Sequence, residues 1–270
     1  MFLRRAVITA AGSAVALFAA VSVEKRGNDY FLAWPPAVSE RWESNWDLRE
    51  PNSLINLNHL KEKPEELKHE LDKHKATATR HIFLVRHAQY NEDGATDSEK
   101  ILTEEGRKQA EHTGERLASL HHAFTYITYS SMARTKETFE IIRRKLPDLE
   151  NSGCDLLREG YPIKPVPLSS HWKADYKFFK DGPRLEAAFR KYICRADPKQ
   201  AKDSYEIIVC HENVIRYIVC RALQLPPEAW KRMSLHHGSI SKLVIYPDGE
   251  VSLEMLGDVG FMPVDKLEEV

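Results

Sequence analysis

An arginine and a histidine side by side at Arg86 and His87, a second arginine at Arg134 and a second histidine at His211 are the residues of this chain best suited to handling a phosphoryl group. A neutral imidazole is a nucleophile near pH 7, and a guanidinium presents a fixed fork of donors that matches phosphate oxygens. Each of these residues stands where the local sequence marks the end of a strand or the start of a helix. Ile82-Phe-Leu-Val runs straight into Arg86-His87, and an apolar run this short predicts a buried strand over 81–85. The pair then lies at the strand's carboxyl end, where open α/β sheets bind ligands. Tyr129-Ser-Ser-Met-Ala-Arg134 follows a predicted strand at 124–129 and puts Arg134 in the first turns of a helix. Ile207-Ile-Val-Cys-His211 follows a third, at 206–210, and puts His211 at a helix start. Helix amino termini offer free N–H groups and a positive partial charge to an anion. A satisfied strand-end histidine, a surface arginine and a capping histidine would each be unremarkable alone. Together at equivalent sheet ends they argue for one shared phosphate site.

The elements that must position them alternate along the chain. Thr103-Glu-Glu-Gly opens a helix with a capping residue and an acidic first turn, running to about Leu120. A second amphipathic helix is predicted from Ser131 to Leu146, before Pro147, and two more over 184–195 and 214–224. A late hairpin pairs 240–246 with 251–256 through Pro247-Asp-Gly249. Strand and helix in this order predict an α/β fold, a three-layer sandwich around a mostly parallel central sheet, as a single catalytic domain over 80–270.

Composition narrows the classes of function. The 270 residues are 42% hydrophobic with a net charge of −1, and the basic residues are dispersed, which argues against a nucleic-acid surface. Cys154, Cys194, Cys210 and Cys220 have no metal-ligand spacing and read as reduced packing residues. Residues 6–23 carry no charge and are flanked by Arg4-Arg5 and Glu24-Lys25-Arg26. As a helix this run reaches about 27 Å, enough to cross a bilayer, so residues 1–23 read as a single amino-terminal membrane helix; a cleaved signal ending near Ala20-Ser22 is the rival. Residues 24–79 read as a Pro-rich, charged linker, except that Trp34, Trp42 and Trp46 are large indoles with no reason to sit on a solvated tether. They either fold back on the catalytic domain or meet another copy of the chain.

Val85-Arg-His-Ala88, Leu102-Thr-Glu-Glu-Gly106, Ser130-Ser-Met-Ala-Arg-Thr135, Leu157-Arg-Glu-Gly160 and Cys210-His-Glu-Asn-Val-Ile-Arg216 occur in this order. Together they resemble the motifs of the histidine phosphatase, or phosphoglycerate mutase, superfamily, over nearly all of 80–260. Within it the chain is most similar to the mitochondrial serine/threonine protein phosphatases. The resemblance implies that His87 is the nucleophile that becomes a phosphohistidine, that Arg86, Arg134 and His211 hold the phosphate, and that Glu159 is the acid and base. Glu92 and Asp93 are the competing carboxylates for that last role. It implies no metal and no cofactor. It also implies a self-association motif at Trp42 to Asp47 (Trp42, Trp46, Asp47), hence a homo-oligomer, and a mitochondrial membrane location, outer rather than inner, through residues 6–23. The expected partners are phosphoserine and phosphothreonine proteins, a stress-activated MAP kinase kinase kinase among them. The chain departs from the pattern at Ala88, where the superfamily usually has glycine and the extra methyl could crowd the pocket, and at Glu43, where the assembly motif usually has aspartate. The alternative readings are a small-molecule phosphatase or mutase, which would be expected to carry additional basic residues and a longer insertion, and a pseudo-enzyme scaffold, which would be expected to lack one of the four core residues.

Overall fold

Ile82, Phe83, Leu84 and Val85 form the middle of a strand, β3 (Arg80–Arg86), and their side chains divide by parity, as the two-residue period of a strand requires. Ile82 and Leu84 pack into one apolar cluster, Phe83 and Val85 into another. An unbroken apolar run is therefore needed because both faces of the sheet are covered. The computed structural model describes residues 42–60, 63–168 and 173–267, with the backbone of a short antiparallel pair, β1 (Lys25–Arg26) and β2 (Asp29–Tyr30). The predicted membrane helix at 6–23 and Trp34 lie outside the described residues; among those described, no helix is long and apolar enough to cross a membrane.

The main sheet adds β4 (Phe124–Ser130), β5 (Glu150–Cys154), β6 (Ser204–Cys210), β7 (Ile240–Ile245) and β8 (Val251–Asp258). Its six strands lie in the order β5-β4-β6-β3-β7-β8. The first four are parallel, and β7 and β8 form the predicted antiparallel hairpin at one edge. Gly249 turns that hairpin at φ +93°, a conformation open to glycine and costly for other residues. On one face Leu185 and Phe189 of α5 (Asp175–Tyr192) and Val214, Ile215 and Ile218 of α6 (Glu212–Ala222) pack with Ile82 and Leu84. On the other face Leu117 of α3 (Glu104–Ser119) and Phe139 and Ile142 of α4 (Ala133–Arg143) pack with Phe83 and Val85. The result is helix, sheet, helix. Thr103 caps α3 by accepting from the Gly106 N–H at 2.9 Å. Gly106 itself is required by a close approach: a Cβ there would lie 1.9 Å from the carbonyl oxygen of Gln89, two residues beyond His87.

Three features differ from the sequence-based expectation. The edge strand β5, Glu-Asn-Ser-Gly-Cys, has no apolar run to betray it and is held by its parallel ladder to β4, with Cys154 at its end packed against the core. Helix α5 begins at Asp175 rather than 184 and runs through Gly182-Pro183, which lie just before the expected start. Gly182 is there because the carbonyl of Pro162 lies against the helix, 2.6 Å from where a Cβ would stand. Finally, part of the expected linker is docked. Two short helices, α1 (Pro51–Leu54) and α2 (Pro64–Lys73), bury no residue, but Trp46 donates its Nε1–H to the Gly249 carbonyl at 2.8 Å, with its ring 5.8 Å from that of Phe189. Asp47 meets Arg195 at 2.5 Å, with both side chains buried.

Candidate active site

Arg86, His87, Arg134 and His211 converge at the carboxyl edge of the parallel strands. The backbone around His87 is fixed from two sides: its N–H donates to the Cys210 carbonyl at the end of β6 at 3.0 Å, and its carbonyl accepts from the Gly238 N–H at 3.2 Å. Gly238, at φ +70°, turns the chain so that this donor faces β3. The Arg86 N–H donates to the Ser239 carbonyl at 3.1 Å.

Arg134 joins the two histidines. Its Nε donates to His87 Nε2 at 3.1 Å and its Nη2 to His211 Nδ1 at 3.1 Å. A guanidinium has no acceptor, so both ring nitrogens facing it are unprotonated, and the tautomers follow. His87 carries its proton on Nδ1 and donates it to the Ala88 carbonyl at 2.9 Å, leaving the Nε2 lone pair turned toward the arginines. His211 carries its proton on Nε2, where it meets Ser130 Oγ at 2.8 Å. Burial, with the surrounding cations, holds both histidines well below the usual histidine range, so both are neutral at pH 7. Tyr90 closes one side, its ring 4.6 Å from the Arg134 guanidinium carbon and edge-on to His87 at 5.1 Å.

Arg86 is held as firmly. Its Nη1 donates to the Leu235 carbonyl, its Nη2 lies 3.1 Å from His237 Nε2, and Glu212 is 3.5 Å away. Its Nε is buried and has no hydrogen-bond partner. Glu159 stands half-buried on the loop that follows a short 3-10 turn, Asp155–Leu157. Burial pushes its carboxyl up to about 7, against the opposing pull of the Gly160 N–H and of Arg134 and Arg86. Glu92 and Asp93 are exposed, unlike Glu159. The Ala88 methyl does not crowd this pocket: it is fully buried in a separate apolar cluster with Leu102, Ala110 and Ile141.

His237, Tyr90 and Ser130 belong to the site and were not singled out from the sequence. The ring of His237 lies 5.3 Å from that of His87. Its signal was His236-His237-Gly-Ser just before an apolar run. Because β7 is antiparallel to β3, its amino end shares an edge with the carboxyl ends of the parallel strands. Trp42, Trp46 and Asp47 are not at this site; Trp46 and Asp47 pack where the β7–β8 turn meets the end of α5, and Trp42 is 40% exposed.

The histidine phosphatase superfamily (branch 1) matches residues 82–161 and 179–258 of the chain. The mitochondrial serine/threonine-protein phosphatase PGAM5 of Xenopus laevis is 55% identical over 99% of this chain and 99% of its own. The Homo sapiens protein of the same name is 54% identical, over 96% of this chain and 94% of its own. Among solved structures, a phosphoglycerate mutase from Plasmodium falciparum superposes with a TM-score of 0.50 at 32% identity, covering 72% of this chain and 98% of its own. The chain therefore belongs to branch 1 of the histidine phosphatase superfamily, in the group of the mitochondrial PGAM5 phosphatases.

Proposed function

We propose that the chain is a protein-serine/threonine phosphatase working through a phosphohistidine on His87. The observation that carries this reading is the Nε2 lone pair of His87, set by the tautomer toward Arg134 with the partnerless Nε of Arg86 nearby. The seryl or threonyl class of substrate rests on the names of the relatives, which are serine/threonine-protein phosphatases. His87 Nε2 attacks phosphorus as the ester P–O bond breaks, and its Nδ1–H stays on the Ala88 carbonyl and steadies the charge on the ring. Arg86 and Arg134 surround the transferring group and offset its negative charge, and His211 adds to this in its protonated form. Glu159, largely protonated just below neutral pH, gives its proton to the departing alkoxide. Its carboxylate then takes a proton from water, whose oxygen displaces His87 by breaking the P–N bond.

The test is His87→Ala, assayed on a phosphoserine peptide and on 3-phosphoglycerate. The wild type is expected to turn over the peptide in preference and to form an acid-labile phosphoenzyme. The variant should lose turnover and phosphoenzyme together. Preference for 3-phosphoglycerate would favour a small-molecule phosphatase or mutase, and no turnover of either a pseudo-enzyme.

The mitochondrial location named in the relatives, with residues 6–23 as a membrane anchor in the outer membrane, belongs to the same proposal and is checked by alkaline extraction of mitochondria. So does a role in stress-kinase signalling, with a MAP kinase kinase kinase as substrate, checked by its phosphorylation state after loss of the protein. Self-association through Trp42, Trp46 and Asp47 is read from the motif. With Trp46 and Asp47 engaged within their own chain, Trp42 is the ring left for a neighbour, and Trp42→Ala should lower the mass seen by light scattering.

A further inference from the structure

The loop that carries Glu159 is held by side chains of neighbouring helices to which the mechanism above gives no role. Arg184 of α5 turns its guanidinium into this loop: Nη1 donates to the carbonyls of Leu156 at 2.8 Å and Arg158 at 2.6 Å, and Nη2 donates to the carbonyl of Glu159 itself at 3.1 Å. About one turn earlier on the same helix, Asp181 accepts from the Tyr161 N–H at 3.0 Å and pairs with Arg184 at 3.5 Å. The next carbonyl along the loop, that of Gly160, accepts from Asn213 Nδ2 of α6 at 3.2 Å. Gly160 lets both side chains approach this closely, since a Cβ would stand 2.4 Å from Arg184 Nη2 and 2.8 Å from the Asp181 carboxyl.

We infer that Arg184, with Asp181 as its counter-ion, is the positioning residue that fixes where the Glu159 carboxyl stands against the leaving oxygen. The inference rests on Glu159 being the proton donor and adds the group that aims it. Beyond the short 3-10 turn this loop belongs to no strand or helix, so its shape is set by these side-chain bonds rather than by a backbone ladder. A planar guanidinium ties three carbonyls in one fixed geometry, which the ammonium of a lysine cannot reproduce. Proton donation requires the carboxyl within hydrogen-bond reach of the leaving oxygen, and a misplacement of about 1 Å costs about 100-fold in rate. The other charged groups facing Glu159 are Arg86 from β3, Arg134 from α4 and Glu212 and Arg216 from α6, and a change at 184 leaves all of them in place.

The experiment compares Arg184→Lys with wild type, in the full chain, on a phosphoserine peptide and on p-nitrophenyl phosphate, whose leaving group needs little protonation. Both substitutions, Arg184→Lys and Glu159→Gln, are made singly and together. The lysine keeps the charge beside Asp181, and Asp181→Asn serves as a second variant should Arg184→Lys fold poorly. Arg184→Lys is expected to lower kcat/KM on the peptide, which covers only the steps through departure of the leaving group, about tenfold, with kcat/KM on the activated ester nearly unchanged. In the Glu159→Gln background it should cost nothing further. Equal losses on the two esters, or a full additional loss in the Glu159→Gln background, would overturn the role of Arg184 while leaving Glu159 as the acid. Equal losses on the two esters from Glu159→Gln alone would take down both readings.

Discussion

Two groups of buried charge lie at opposite edges of the same sheet, and they are built on opposite rules. At the amino edge of the parallel strands every charge has its match. Arg80 meets both oxygens of Glu206, at 2.8 and 2.6 Å, and Arg195 meets Asp47 through Nε, Nη2 and its backbone N–H. At the carboxyl edge Arg86, Arg134 and three histidines gather; Arg86 shares Glu212, 3.5 Å away, with Arg216, the carboxylate paired with Arg134 is Asp97, 4.0 Å away, and Glu159 is held toward its neutral form. A matched buried pair contributes order, and breaking it is costly because the survivor stays uncompensated. Cations left short of counter-charge raise the energy of the folded protein, and that cost is recovered when an anionic substrate arrives. Position on the sheet thus separates charges that serve the fold from those that serve the reaction.

The largest expected effect tests the unmatched side. Arg134→Met should lower kcat/KM on a phosphopeptide by about a thousandfold, since it removes donors that meet the transferring group, while the midpoint of urea unfolding stays level or rises. A fall in stability with modest loss of rate would place Arg134 with the structural charges.

The matched side should answer in the reverse sense. Asp47→Asn leaves the Arg195 guanidinium buried without its carboxylate and should cost about 3 kcal/mol in urea unfolding. Burial raises the Asp47 carboxyl, but the hydrogen bonds and charge of Arg195 outweigh it and hold the group below the usual carboxylate range. Its stabilisation is therefore complete above the unfolded value near 3.8 and is lost as pH falls through the lower folded value. Wild type and variant should converge in stability only in that acid range. A gap that persists unchanged into strong acid would show that Asp47 acts by shape rather than charge.

The same contrast explains what was legible in the sequence. Arg86, His87, Arg134 and His211 could be read because each follows or precedes an apolar run whose period declares a strand or helix, and the structure brings all four together. His237 escaped because it precedes a strand, and only the antiparallel direction of β7 carries that end to the catalytic edge. Ser130 and Tyr90 escaped because a hydroxyl that fixes a tautomer, or a ring beside a guanidinium, is defined by its neighbours in space. Asp47 and Arg195 are 148 positions apart in the chain, and no local pattern predicts that pair. Strand β5 has no apolar run, and α5 runs through a proline, so in both cases tertiary contacts overrode the local signal.

Glu159 stands between the two regimes, and the smallest effect is expected there. Its folded-state value, about 7, lies above the ordinary 4.5, so the folded protein favours the protonated carboxyl. As pH rises above the unfolded value the folded state is progressively penalised, fully so once pH exceeds the folded one. Glu159→Gln removes that penalty. With discount for the solvent that reaches a half-buried group, the variant should be more stable than wild type by about 1–2 kcal/mol at pH 8 and indistinguishable from it below about pH 4.5. The rate should respond in the other direction. Formation of the phosphoenzyme from a seryl ester needs the proton and should fall as pH rises through about 7 in the wild type, whereas in the variant it should be slow and flat over the same range. Stopped-flow measurement of the first turnover, alongside urea unfolding at the two pH values, reads both. A variant less stable than wild type at pH 8 would mean that the ionised carboxylate is compensated by Arg86 and Arg134, and that Glu159 belongs with the matched charges after all.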